Sequence, residues 1–313
     1  MRALVTGASG FVGRHLCAAL ASDGWDVVAA GASHESEGFL PIDLRDASTL
    51  RGALDIARPD TVFHLAAMAA VTDALADPQG VADVNVGGTE RLADAIAGYV
   101  ADGGAMPRLL FTSSAEVYGR RPPEEYPIVE TLEPRPENPY AQSKLAAEGV
   151  LHDAAARGLD VVIARAFNHI GPGQDEKFAI ASFAGQLARI AAGGPNVIMV
   201  GNLEAKRDFL DVRDVVAAYV ALARDGASGE TYNVCSGTAI AMREMLGMLI
   251  AQARVPVEVR EDPARMRPSD TPVAYGSAAK LRAATGWTPR YRLERTLRDA
   301  YEDARERGRT SAS

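Results

Sequence analysis

Tyr140 and Lys144 are the residues whose types and spacing most clearly indicate chemistry. They lie four positions apart at the start of a predicted helix over residues 141–156, so their side chains share one helix face. A free tyrosine has a pKa of about 10 and exchanges protons poorly near neutrality. Because a neighbouring ammonium and the positive nicotinamide ring both favour the phenolate, we expect the pKa of Tyr140 to be lowered. Tyr140 is then the predicted proton donor or acceptor at a carbonyl or carbinol oxygen.

Two polar residues upstream fit the same reaction. Ser114 follows a predicted strand at 109–112, and its hydroxyl can hydrogen-bond the reacting oxygen and stabilise the charge that develops there. Glu116 is a candidate acid–base group or substrate contact. A Tyr-x-x-x-Lys pair alone often arises by chance. Here it follows a glycine loop and a strand-end serine in the right order, and that joint pattern predicts a catalytic site.

A glycine-rich loop lies between the first predicted strand and the first predicted helix. Gly7 permits a tight turn, Gly10 lets backbone amides approach a pyrophosphate, and Gly13 lets the helix lie close to the sheet. Phe11 and Val12 open the helix, whose N-terminus adds partial positive charge. The loop therefore predicts a nicotinamide dinucleotide site. Lys144 is a candidate for holding the nicotinamide ribose hydroxyls.

The end of the second predicted strand bears on which dinucleotide is bound. Between Ala29 and His34 there is no acid that would bind a ribose 2′-hydroxyl and repel a 2′-phosphate, and no arginine either. Ser33 is a candidate phosphate contact, with an exposed loop residue as the alternative. We therefore expect NADP to be preferred, with NAD possible.

Strand-like and helix-like segments alternate along the first half of the chain. Short apolar runs at 3–5, 27–30, 39–42, 61–65, 109–112 and 161–164 alternate with helical patterns at 11–21, 46–57, 81–100 and 141–156. Continuous apolar strands joined by helices predict an α/β fold, a Rossmann doubly wound parallel sheet with a smaller C-terminal substrate domain. We place the dinucleotide-binding domain at 1–167 plus about 205–237. The substrate domain is placed at about 168–204 and 238–313, with Trp287 as a core anchor.

Composition narrows the function classes. The 313 residues carry 33 basic and 41 acidic side chains, a net charge of −8, which argues against nucleic-acid or anionic-membrane binding. Cys17 and Cys235 lie far apart without metal-ligand spacing, so we expect two reduced thiols and no metal. The apolar runs are strand-sized and no signal peptide is evident, so we expect a cytoplasmic protein.

Several motifs together resemble those of a known family. They lie at 6–13, 64–67, 85–89, 113–119 and 140–144, and the similarity to extended short-chain dehydrogenase/reductases covers nearly the whole chain. Three further stretches, at 165–174, 201–209 and 267–270, are similar to those of the GDP-4-keto-6-deoxy-D-mannose reductases. That group forms GDP-6-deoxy-D-mannose, also called GDP-D-rhamnose, with NADPH or NADH.

The resemblance carries implications for individual positions. It implies Asn168, Arg207 and Arg267 as GDP-sugar contacts, and a diphosphate does favour the planar, permanently charged guanidinium group. Both arginines stand in loop-like sequence. It also implies that the cofactor touches five residues after the third and fourth strands: Asp43, Leu44, Leu65, Ala66 and Ala67. A homodimer paired through the helices at 90–100 and 144–156 is a further implication.

The residues leave alternatives open. Hydride delivery to the other face of C4 gives GDP-6-deoxy-D-talose. A GDP-mannose 4,6-dehydratase, a lyase, needs an extra acid–base group, and Glu116 could serve. A 4-epimerase of the UDP-galactose type is less favoured, because it uses an acid after the second strand that this chain lacks. A non-catalytic NADP-sensing protein would lose the Tyr or Lys, and both are present.

Overall fold

The computed structural model describes residues 1–32, 38–69, 71–266 and 271–310. Its strands are β1 (Arg2–Thr6), β2 (Asp26–Gly31), β3 (Leu40–Pro41), β4 (Thr61–His64), β5 (Arg108–Ser114), β6 (Val161–Ala166), β7 (Asn168–Ile170), β8 (Val197–Val200), β9 (Lys206–Asp211), β10 (Thr231–Val234), β11 (Ala239–Ala241), β12 (Glu258–Glu261) and β13 (Val273–Ala274). Its α-helices are α1 (Phe11–Ser22), α2 (Ala47–Ala57), α3 (Val71–Ala76), α4 (Pro78–Ala82), α5 (Gly88–Ala101), α6 (Pro139–Ala156), α7 (Ala179–Ala191), α8 (Val212–Asp225), α9 (Met242–Ala253), α10 (Ala279–Thr285) and α11 (Leu293–Thr310).

The main sheet has seven strands in the order β10-β6-β5-β4-β1-β2-β3, and every pairing is parallel. The chain winds outward in one direction through β1, β2 and β3, and in the other through β4, β5, β6 and β10. The order reverses between β1 and β4, which is where doubly wound sheets bind their ligands. The predicted fold class is confirmed.

Helices cover both faces of this sheet. The core on one face contains Leu16 of α1 and Tyr219 of α8, together with both tryptophans, Trp25 and Trp287. The indole N–H of Trp287 donates to the carbonyl of Asp214 at 3.0 Å, so its predicted role as a core anchor is confirmed. The core on the other face is formed by side chains of α2, α5 and α6 against the sheet.

A third core lies outside the main sheet. It packs α7, α9 and α11 around the two-stranded pairing of β8 with β12. Next to it, β9 pairs with β7, β11 and β13 instead of joining the large sheet. The predicted division into two domains stays a prediction. Its boundaries, at 167 and about 205 and 237, fall close to the strands β7, β9 and β11 that pair with one another.

Two of the predicted helices differ in detail from the pattern that the sequence indicates. Asp46 caps α2 by accepting a hydrogen bond from the amide of Ser48 at 2.9 Å, so the helix begins one residue after the start of the predicted pattern at 46–57. The segment expected as a helix over 81–100 is interrupted by a π-helix, Asp83–Gly87, between α4 and α5. A π-turn widens the helix by one residue, and its apolar pattern still looks helical.

Cys17 and Cys235 are both free thiols. Among the described residues, no group of histidine, cysteine and carboxylate side chains is arranged to hold a metal ion. Over the same residues, no helix combines the length and apolar character needed to span a membrane.

Candidate active site

The start of α6 sets the position of the tyrosine. Asn138 is the N-cap residue, and its side-chain oxygen accepts a hydrogen bond from the amide of Ala141 at 2.9 Å. This cap places Tyr140 in the first helical turn, facing the end of β5. There a side-chain hydrogen bond joins the Tyr140 phenol to Ser114. The structure therefore brings together the two groups predicted to meet the reacting oxygen.

Lys144 lies one turn further along the same helix and is 3 % exposed. Its Nζ donates to the carbonyl of Thr112 at 2.8 Å and lies 4.8 Å from the ring centre of Phe111. Burial lowers the pKa of Lys144 to about 8, and the carboxylate of Glu148 acts in the opposite direction. The amine therefore still carries its proton near neutral pH.

The lowering of the Tyr140 pKa that was expected from Lys144 is not found, and the contribution expected from the nicotinamide ring stays a prediction. Burial raises the pKa of Tyr140 to about 12, the hydrogen bond from Ser114 opposes that rise, and the charge of Glu116 adds to it. Lys144, whose ammonium donates to the Thr112 carbonyl, is not among the groups that shift this pKa. A phenol that stays protonated is suited to donating a proton.

Glu116 stands at the rim of this cluster. Its side chain is exposed, and Oε2 accepts a hydrogen bond from Nδ2 of Asn138 at 3.3 Å. Its backbone amide donates to the hydroxyl of Ser114 at 3.2 Å. Glu116 is thus close to the predicted catalytic groups without being buried among them.

Asn85 is a supporting residue that the sequence analysis did not single out. It lies in the π-helix, and its Nδ2 donates to Ser143 Oγ at 3.0 Å and to the carbonyl of Met68 at 3.1 Å. Ser143 Oγ in turn donates to the carbonyl of Tyr140 at 2.8 Å. The motif at 85–89 marked the region, but the wider turn that aims Asn85 at α6 leaves no sequence pattern.

His64, the last residue of β4, links the end of β1 to α5 through hydrogen bonds close to the site. Its Nδ1 lies 2.8 Å from Thr6 Oγ1 and its Nε2 lies 3.2 Å from Thr89 Oγ1. Burial, followed by the charge of Lys144, lowers the pKa of His64 to about 3. The imidazole is therefore neutral and joins β1, β4 and α5 without adding charge to the site.

The glycine loop is shaped by close backbone contacts. Gly7 has φ +71°, and a Cβ atom there would lie 2.7 Å from the amide nitrogen of Ala66. At Gly13 a Cβ atom would lie 2.7 Å from Cα of Ala8 and nearer still to the carbonyl of Gly7. A side chain at Gly13 would therefore push α1 away from the loop after β1. A side chain at Gly7 would push that loop away from the segment after β4.

This loop fits the pyrophosphate of a dinucleotide. Gly10 caps α1 without a side-chain hydrogen bond, and the first backbone bond into the helix runs from Arg14 to its carbonyl at 3.1 Å. The amides of Phe11 and Val12 precede that bond, so they have no partner within the helix. A negatively charged ligand satisfies such groups and is stabilised by the helix dipole.

The other predicted cofactor contacts lie at the same sheet edge. Leu65, Ala66 and Ala67 directly follow β4, and the amide of Leu65 donates to the carbonyl of Thr6 at 3.2 Å. Asp43 and Leu44 follow β3; Leu44 is buried, and the Asp43 amide donates to the hydroxyl of Thr49 at 3.0 Å. Ser33 lies outside the described residues.

Of the three predicted substrate contacts, Asn168 and Arg207 lie within the described residues. Asn168 begins β7, where its Nδ2 donates to the carbonyl of Asp208 at 3.4 Å. Arg207 was expected in a loop but lies in β9, because it pairs with Ile240 of β11 on one side and with Ala274 of β13 on the other. Burial raises the pKa of Tyr126, and the positive charge of Arg207 opposes that rise. Arg267 lies outside the described residues.

A comparison with family models matches residues 3–235 to the NAD dependent epimerase/dehydratase family. The chain is 41 % identical over 314 residues to the GDP-6-deoxy-D-mannose reductase of Pseudomonas aeruginosa, covering 98 % of each protein. It superposes on a structure of RMD from Pseudomonas aeruginosa complexed with NADPH with a TM-score of 0.88, at 38 % identity, over 98 % of this chain and 100 % of that one. A UDP-glucose 4-epimerase of Thermus thermophilus in complex with NAD gives a TM-score of 0.85 at 31 % identity, over 97 % and 99 % of the two chains.

Proposed function

Since this chain belongs to the NAD dependent epimerase/dehydratase family, we propose that it is an NADPH-dependent reductase of a GDP-linked 4-keto sugar. The specific reaction is reduction of the C4 ketone of GDP-4-keto-6-deoxy-D-mannose to GDP-6-deoxy-D-mannose. The 41 % identity to a GDP-6-deoxy-D-mannose reductase over 98 % of the chain favours this substrate. One observation carries the proposal: the phenol of Tyr140 is hydrogen-bonded to Ser114, one turn of α6 before the buried Lys144, where β5 ends.

Tyr140 supplies the proton in this reaction. A reduced nicotinamide, when bound, would supply the hydride that C4 requires. The phenol of Tyr140 gives its proton to the carbonyl oxygen, so that the ketone becomes an alcohol. The developing alkoxide is more basic than a phenolate, and transfer from Tyr140 is therefore downhill even with its raised pKa of about 12. The phenolate left behind regains its proton from solvent.

Ser114 and Lys144 act on charge. The Ser114 hydroxyl donates toward the oxygen on which negative charge develops. In this proposal the Lys144 ammonium, hydrogen-bonded to the Thr112 carbonyl, stabilises the phenolate after proton transfer and holds the nicotinamide ribose hydroxyls. Both roles need a charged lysine.

The remaining contacts bind the two ligands. Gly7, Gly10 and Gly13 admit the pyrophosphate of the cofactor, whose adenine and ribose meet the segments after β2, β3 and β4. Asn168 and the guanidinium groups of Arg207 and Arg267 bind the GDP-sugar.

The decisive experiment supplies GDP-4-keto-6-deoxy-D-mannose with NADPH and follows absorbance of the reduced cofactor. The product sugar is then identified by NMR, which separates the rhamno from the talo configuration at C4. A parallel incubation with GDP-mannose alone tests for dehydratase activity. Oxidation of NADPH that depends on the keto sugar supports the reductase, and a keto sugar formed from GDP-mannose contradicts it.

We also propose that the chain forms a homodimer through α5 and α6. These helices pack side by side on one face of the sheet and present their outer surfaces together. Light scattering coupled to size exclusion measures the assembly mass, and the 33.1 kDa mass of a single chain would contradict the dimer.

A further inference from the structure

Glu148 lies one helical turn beyond Lys144 on α6 and is 1 % exposed. Its carboxylate accepts a hydrogen bond from Ser113, the residue that precedes Ser114 on β5. Lys144 holds the carbonyl of Thr112, the next residue back. Lys144 and Glu148, on successive turns of α6, therefore hydrogen-bond to successive residues of the strand end that leads to Ser114.

The opposite side of Glu148 is paired with Arg165 of β6, which is 5 % exposed. The guanidinium donates from Nη2 to Oε2 at 2.6 Å and from Nε to Oε1 at 2.9 Å, a bidentate pair. Arg165 is also the register partner of Ser113, so both strand ends meet at one carboxylate. Its guanidinium lies 4.8 Å from the ring centre of Tyr118, whose hydroxyl donates to Asn233 of β10 at 2.7 Å.

We propose that Glu148 and Arg165 form a positioning pair that holds the β5 strand end in place and sets the charge of Lys144 without touching substrate. This inference rests on the proposed reductase function, in which Lys144 acts as a cation. Neither residue is among those that the sequence analysis assigned to the site.

The charge of Lys144 is set by the groups that face it from β4, β5 and its own helix. From β5 it meets only the Thr112 carbonyl and the Phe111 ring, and from β4 it meets neutral His64. On its own helix the group that acts on its charge is the Glu148 carboxylate, one turn further along α6. Glu148 is thus the anion that offsets the burial of the ammonium, and Arg165 moderates it from the other side.

Two substitutions should move the Lys144 pKa in opposite directions. In Glu148→Gln the anion is lost while the Arg165 cation remains, so the pKa should fall by about 1 pH unit or more. In Arg165→Met the carboxylate loses its competing cation and the pKa should rise by a comparable amount. Damage to packing alone would not produce shifts of opposite sign.

The protein suits a direct measurement, because it has four lysines: Lys144, Lys177, Lys206 and Lys280. With ¹³C at the lysine ε position, NMR titration follows each ammonium separately, and Lys144→Arg assigns the signal. The alkaline limb of the kcat/KM profile for the keto sugar should follow the same shifts. If the wild type does not reduce the keto sugar, the proposed function fails while the NMR titration still tests the pair.

The controls separate folding from charge. Asp160→Asn removes the carboxylate of the pair with Arg108 (3.0 Å), which joins the opposite ends of the same two strand segments, and should leave Lys144 unmoved. Glu148→Asp keeps the charge and should restore a pKa close to that of the wild type. If Glu148→Gln does not fold, Arg165→Met carries the test. An unchanged Lys144 pKa in the folded variants, or shifts of the same sign, would overturn the proposal.

Discussion

The glycine loop and the catalytic edge lie at the same end of one sheet and are built in opposite ways. The loop after β1 consists of backbone, with glycines where any Cβ atom would strike neighbouring main chain. The edge formed by β5, β6 and α6 consists of ionisable side chains buried against one another. The first depends on space and the second on charge, so each should fail in its own way when altered.

The largest effect is expected at the catalytic edge. Tyr140→Phe removes the oxygen that donates the proton and leaves the ring, so kcat should fall by about 10²–10⁴-fold while the affinity for NADPH is kept. Steady-state kinetics and fluorescence titration of the cofactor measure the two quantities. Tyr99→Phe, a change in the core of α5, is the matched control. A Tyr140→Phe variant with most of its activity would remove this residue from the mechanism.

The loop should fail through packing. Gly13→Ala places a Cβ atom against Ala8 and Gly7, and we expect a loss of about 1–3 kcal/mol in the free energy of unfolding, with weaker cofactor binding. Denaturant unfolding with and without NADPH measures both. Gly52→Ala, on a helix with open space around the glycine, should be neutral or stabilising. Equal behaviour of the two variants would show that the contact at Gly13 is unimportant.

A smaller effect is expected at the rim of the edge. Glu116 is exposed, and the proposed reduction abstracts nothing from C5, so Glu116→Gln should lower kcat by less than about tenfold. Loss of the base of a dehydratase would cost about 10²–10⁴-fold. Assays of keto-sugar reduction and of keto-sugar formation from GDP-mannose distinguish these outcomes.

The smallest expected difference concerns the cofactor. Residues 29–34 contain no acid to repel a 2′-phosphate and no arginine to attract one, so kcat/KM with NADPH should equal or exceed that with NADH. Parallel kinetics with the two cofactors give the ratio. A strong preference for NADH would point to a ribose-binding group that these residues do not reveal.

Patterns confined to one segment were predictable from sequence, whereas contacts between segments were not. Apolar runs located β4 and β6, and glycine spacing located the cofactor loop. The strand β9 was not predicted, because its sequence is charged and its pairing partners lie more than 30 residues away along the chain. Burial, which raises the pKa of Tyr140, exists only after folding. The contact between Glu148 and Arg165 likewise spans two elements, 17 positions apart.

Both tryptophans of the chain, Trp25 and Trp287, belong to the core on a single face of the large sheet. The core built from α7, α9 and α11 has none. Intrinsic tryptophan emission therefore monitors one face of the dinucleotide-binding sheet and is blind to loosening of that third core. A melting curve recorded by tryptophan emission and one recorded by circular dichroism will coincide only if the whole chain unfolds as a single cooperative unit.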